Sequence, residues 1–143
     1  MNDAQIAADL RLQVGRLVRR GRAQDPRPQA ETGVLGLLGR GGPMTTSQLA
    51  DAQRVRPQSM ARTVRALESE GLVERTTDPD DARKSPLTLT VRGRDALERE
   101  RQRRTDWLTV ALTQALDPDE RETVRNAVPL LARLVEWDEH RTS

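Results

Sequence analysis

With 143 residues, 35% of them hydrophobic and 32% charged, the chain can build one compact fold, or a small reading head plus an attached lobe, but not two independent cores. It has no cysteine, which excludes disulfides, thiolate metal sites and thiol redox sensing. Its one histidine, His140, stands three residues from the C-terminus, so a histidine metal shell cannot be assembled within one chain and a histidine-based catalytic triad would have to draw on a residue of the fraying end.

The two aromatics, Trp107 and Trp137, leave the core to Leu, Val and Ala, which favours helices packed on helices. The net charge is +2, and of the 24 lysines and arginines only Lys84 is not arginine. Arginine's planar fork suits phosphates and guanine edges, although solvated faces explain the same bias. No apolar run approaches the roughly 18 residues of a membrane span, and the opening MNDAQIAADL lacks a basic-then-hydrophobic pattern. A cytoplasmic protein with no membrane partner is expected.

In chain order, Ile6, Leu10, Val14 and Leu17 recur at helical spacing, predicting an amphipathic helix from Asp3 to about Arg20. Residues 21–28, with one glycine and two prolines, read as a loop. A second helix over Ala30 to Leu38 carries Val34, Leu35, Leu37 and Leu38, and Gly39, Gly41, Gly42 and Pro43 are expected to stop it. Thr45 and Gln48 form a capping box for a short helix over Thr46 to Gln53, with Leu49 and Ala50 facing inward. After a short turn, Pro57 suits a first helical position, and the next helix runs to Glu70 before Gly71 ends it. The pair has helix-turn-helix spacing.

Leu72 to Thr76 and Leu87 to Thr90 are extended segments around the polar stretch TDPDDARKS, a hairpin in which Pro86 predicts an edge strand. Thr90 then caps a long helix to about Leu116. Its middle, ERERQRRTD, is polar on every side and is expected to bridge two lobes through solvent. Asp117, Pro118 and Glu120 open a final helix with Val124, Val128, Leu131 and Val135 on one face, interrupted by a kink at Pro129.

The segment RVRPQSMARTVRALESEGLVER, Arg54 to Arg75, separates two chemistries. Met60, Val64 and Leu67 make an apolar stripe, and Gln58, Arg62, Arg65 and Ser69 lie opposite it at the same helical step. From Ala52 through Leu67 there are four arginines and no acid, so positive charge gathers where a helix entering a DNA major groove would need it. Arginine pairs with guanine O6 and N7, and glutamine with adenine N6 and N7. Arg56, Gln58, Arg62 and Arg65 are therefore candidate DNA contacts, and Ser59 can reach a base or a phosphate. Thr46 and Ser47 offer hydroxyls and N–H groups to a phosphate, though capping also explains them.

The stretch from Leu49 to Arg94, LADAQRVRPQSMARTVRALESEGLVERTTDPDDARKSPLTLTVRGR, resembles the core signature of the MarR family of regulators. Leu49 and Ala50 resemble the opening of the family's first reading helix, and Arg62 its recurrent recognition-helix arginine. Leu67 through Arg75 matches LE-x-x-GLV-x-R, Asp81-Ala82-Arg83 the wing's D-x-R, and Leu89-Thr90 with Gly93 the LT-x-x-G that begins the long helix. Arg56, Gln53 and Arg54 depart from the usual capping, apolar and glycine residues of the turn.

The resemblance implies a mainly α fold with a small β-hairpin wing: a winged helix-turn-helix over 28–90 and a helical dimerisation lobe from 1–20 and 91–143. It implies a homodimeric regulator of double-stranded DNA, a repressor relieved by a small aromatic or anionic effector, with no cofactor and no enzymatic activity. Arg83 would probe the minor groove, oriented by Asp81, while Lys84 and Arg75 touch phosphates. Arg104, Trp107 and Leu108 mark the expected effector cleft, although Trp107 and Trp137 also suit a dimer core. The rival reading is a winged-helix module whose arginines meet an acidic protein partner.

Overall fold

The structure, a computed structural model, describes residues 1–142, the side chains of 139 and 142 apart. Its elements follow as α1 (Asp3–Arg22), α2 (Gln29–Gly41), α3 (Thr46–Gln53), α4 (Pro57–Ser69), β1 (Val73–Arg75), β2 (Leu87–Leu89), α5 (Val91–Ala115) and α6 (Pro118–Thr142). Residues 1–104 form one compact unit, and a second begins at residue 105.

Local chemistry sets most of the boundaries. Asn2 caps α1, and Thr45 caps α3: the Gln48 N–H donates to Thr45 Oγ1 at 3.1 Å, and the Gln48 side chain accepts from the Thr45 N–H at 2.9 Å. Asp117 and Glu120 make the same reciprocal pair for α6, at 2.8 and 3.0 Å. The α6 helix continues through Pro129. Two boundaries differ from the sequence expectation. Helix α1 takes in Gly21 and reaches Arg22, and α2 continues past Gly39 to Gly41, stopping only where Gly42 turns to φ +75°. Gly39 is used for close packing instead of as a stop, since a Cβ there would meet Leu97 Cδ2 at 2.5 Å.

Among the described residues, the core lies wholly in the first unit. Val34, Leu35 and Leu38 of α2, Leu49 and Ala50 of α3, and Met60, Val64 and Leu67 of α4 are buried together with Leu72, Val73, Leu87, Leu89, Ala96 and Leu97. Each large aliphatic side chain so buried contributes about 1.5–3 kcal/mol, which fixes α4 by its inner face. The hairpin is antiparallel, with Val73 opposite Leu89 and Arg75 opposite Leu87.

The sheet has two strands, so β2 lies at an edge as expected, and Met44 adds one isolated bridge to Leu87 on its other side, with N–H to carbonyl bonds of 3.2 and 2.7 Å. Pro86 is tolerated because it precedes the strand and supplies only its carbonyl, which accepts from the N–H and hydroxyl of Thr76. The start of α5 is locked onto the hairpin. Thr90 Oγ1 accepts from the Gly93 N–H at 3.0 Å, and any side chain at Gly93 would run into the Leu72 carbonyl.

The solvent-bridge expectation for ERERQRRTD agrees with the exposure of most of its residues and fails at one. Glu100, its third residue, is 1% exposed and faces Arg27 of the α1–α2 loop. A polar periodicity does not reveal this burial, because the cation that pairs with Glu100 comes from a distant part of the chain.

Candidate nucleic-acid interface

The turn between α3 and α4 is made by Arg54, at φ 55° and ψ 44°, a left-handed conformation better suited to glycine. It sends the chain into α4 with Arg56 as N-cap and Pro57 at the first helical position, and no side chain caps that first turn. Its leading N–H groups are thus left to solvent or an anion.

With Met60, Val64 and Leu67 buried, the other side of α4 is necessarily the outer one. Arg56, Gln58, Ser59, Arg62 and Arg65 are all exposed there, and no acid stands between Ala52 and Leu67 to neutralise them. Ser47 is exposed beside the α3 N-terminus and Thr46 is half-buried.

The acids of the wing, which on charge alone argue against a DNA contact, build its tip. Asp78 Oδ1 accepts from the Asp80 and Asp81 N–H groups at 2.8 and 3.2 Å. Asp81 Oδ1 in turn accepts from the Arg83 N–H at 3.0 Å and from its Nε at 3.3 Å. The Arg83 side chain is nevertheless 93% exposed, held at its base and free at its end. Lys84 is exposed, and Arg75 reaches back to Glu68 of α4 at 3.1 Å. Sequence reasoning missed Asp78, although the Asp-Pro-Asp spacing is a turn signal that marks it.

The α1–α2 loop holds a second group of charges. Asp25, whose side chain is 1% exposed, accepts from Arg104 Nη2 at 2.5 Å and from its Nε at 3.2 Å. Arg27 donates to Glu31 and Glu70 and lies 3.5 Å from Glu100. Burial works against the Arg27 charge, but the hydrogen bonds to Glu70 and Glu31 outweigh it and keep the guanidinium more firmly protonated than a free one. Burial, and then repulsion from Asp25, raise the Glu100 carboxyl above its ordinary range against the pull of Arg27, Arg104 and Arg103. Nothing in the sequence marked Asp25, Arg27 or Glu100. Trp107 and Leu108, the other residues of the expected effector cleft, are half-buried in the second unit.

Comparison with known proteins bears directly on this arrangement. An uncharacterized HTH-type transcriptional regulator of Mycobacterium leprae is 34% identical over 138 residues, 94% of this chain and 96% of that one. A family model described as MarR family matches residues 25–84. The chain belongs to the MarR family of transcriptional regulators. A crystal structure from Pseudomonas aeruginosa PA01, also assigned as a transcriptional regulator, shares the fold at TM-score 0.77 and 37% identity, covering 94% of this chain and 95% of that one.

A MepR variant of S. aureus, bound to an oligodeoxyribonucleotide, shares the fold at TM-score 0.65 and 19% identity, covering 90% of this chain and 97% of that one. The MarR assignment makes this chain a transcriptional regulator, not an enzyme, with a winged helix-turn-helix of the DNA-binding kind. Among the described residues no helix is long and apolar enough to cross a membrane.

Proposed function

We propose that this MarR-family protein is a cytoplasmic, homodimeric repressor that binds duplex DNA sequence-specifically and releases it when a small aromatic or anionic effector binds. The observation that carries the reading is α4, clamped by a fully buried inner face while Arg56, Gln58, Ser59, Arg62 and Arg65 stand exposed on its outer side. Such a helix can enter a major groove without distorting the core that holds it. Arg62 and Gln58 read base edges, and Arg56, Arg65 and Ser59 reach bases or phosphates beside them.

In this reading residues 28–90 form the DNA-reading lobe, and 1–20 with 91–143 the dimerisation lobe. Arg83 enters the adjacent minor groove, where a narrow groove concentrates negative potential, and Asp81 holds its base. Lys84 and Arg75 meet phosphates, as do Thr46 and Ser47 at the start of α3. The homodimer is supported by apolar side chains left exposed on α1 and α6, among them Ile6, Leu17, Leu131 and Leu134. The effector acts at Arg104, Trp107 and Leu108, neighbours one turn apart on α5. An anionic effector would compete with Asp25 for Arg104.

Selection of bound sequences from a random duplex pool, followed by footprinting and gel filtration, tests this. The expected product is a pseudo-palindrome with half-sites about one helical turn apart, bound by a dimer. A monomer with no preference over random DNA would overturn the reading. Retention by acidic protein surfaces with no affinity for DNA would favour an interaction module.

A further inference from the structure

The last turn of α4 carries Glu68 and is capped by Glu70, with no basic residue of its own. Two carboxylates at a helix C-terminus oppose the negative end of the helix dipole, so this end of the helix needs cations from elsewhere. Arg75 supplies one, to Glu68. The other is Arg27, whose Nη1 donates to both oxygens of Glu70 at 3.0 and 2.9 Å and to Glu31 of α2 at 3.0 Å.

Arg27 is itself fastened from below. Its Nε lies 3.5 Å from Glu100 Oε1, a carboxylate whose side chain is 2% exposed and whose other oxygen has no hydrogen-bond partner among the described residues. Two positions away, Asp25 fixes the same short loop to Arg104. One guanidinium therefore ties α2, α4 and the buried Glu100 of α5 together at the end of α4 remote from Arg56 and Gln58.

We propose that Arg27 is a positioning residue for DNA recognition: by holding Glu70 against the buried carboxylate of α5, it sets the angle at which α4 presents its arginines to the groove. The inference rests on the DNA-binding reading above. Base-edge hydrogen bonds are directional, whereas phosphate attraction tolerates a tilted helix. Loosening the far end of α4 thus lowers discrimination between sequences more than it lowers attraction to DNA. Arg27 itself meets no phosphate in this arrangement, so the salt dependence of binding stays as it was.

The test measures binding of wild-type protein, Arg27→Gln, Glu70→Gln and the double variant to a selected operator duplex and to a random duplex, across a salt series. Each single change is expected to lower the operator-to-random ratio by about threefold to tenfold, with the salt slope unchanged. The double variant is expected to be no worse than the more affected single, because Arg27→Gln already removes the Arg27–Glu70 contact that Glu70→Gln removes. Glu70 is half exposed, so Glu70→Gln decides the matter even if Arg27→Gln folds poorly.

A ratio equal to wild type in Glu70→Gln overturns the proposal. So do additive losses, or equal losses on both duplexes, which would mark a structural role alone. If wild-type protein itself fails to tell the duplexes apart, the DNA-binding reading falls and this inference with it. If only the variants match wild type, the reading stands and the positioning role is lost.

Discussion

The winged helix-turn-helix and the helices at the two ends of the chain treat their apolar residues in opposite ways. Helices α2, α3 and α4 bury theirs in one another and in the hairpin, whereas α1 buries only Gly21 and α6 has no buried side chain among the described residues. Ile6, Leu10, Val14 and Leu17 on α1, and Val128, Leu131, Leu134 and Trp137 on α6, are instead exposed, Trp137 at 60% with Arg141 stacked over its ring. The first region is complete in one chain. The apolar stripes of α1 and of α6 each suit the proposed homodimer, in which a second copy would cover them.

The largest expected effect breaks the complete region. Leu67→Ala removes a fully buried side chain from the inner face of α4 and should lower stability by about 2–5 kcal/mol in urea unfolding. A loss below about 1 kcal/mol would mean that α4 is not held by that face. Next comes the incomplete region. Leu134→Glu places a charge in the α6 stripe and should weaken self-association about thirtyfold or more by sedimentation, while leaving the winged fold intact. Unchanged association would remove α6 from the proposed dimer seam.

The outer face of α4 is expected to respond in affinity instead of stability. Arg62→Ala should weaken operator binding by about 1–3 kcal/mol and relax the sequence preference, whereas Arg75→Ala should chiefly make the salt dependence shallower. Equal, sequence-blind losses from both would refute that division of roles.

The smallest effect concerns Glu100. Its carboxyl is raised in the fold by burial and by Asp25, so the folded state binds a proton more readily than the unfolded chain. Its ionisation therefore weakens the fold, and stability falls as pH rises from the ordinary glutamate range through the raised value. Glu100→Gln should flatten that part of the pH profile. At neutral pH it should change stability by less than about 1 kcal/mol, since relief of the buried charge offsets the lost Arg27 contact. Unfolding curves at stepped pH decide it, and an unaltered slope in the variant would show that Glu100 does not titrate there.

Legibility followed the range of the interactions. Thr45 with Gln48, and Asp117 with Glu120, are partners three residues apart, and such spacing can be read directly from the chain. The DNA-facing side of α4 was legible for a related reason, because one helical period assigns Met60, Val64 and Leu67 to one side and Arg62 and Arg65 to the other. The stop of α2 was misjudged because a glycine's role depends on what approaches it, here Leu97. The bridge from Met44 to Leu87 is likewise invisible without the fold.

The sequence by itself determined the order of helices and hairpin, the caps and the two-faced α4, since propensity, capping and periodicity act over a few residues. Tertiary structure alone decided that the polar middle of α5 is partly buried, that the wing acids organise its tip, and that Arg27 binds Glu70. Asp25 and Arg104 are 79 residues apart, and Arg27 and Glu70 are 43 apart. Over such separations a charge has many possible partners, and only the packing of the apolar core selects one by fixing which backbones come close.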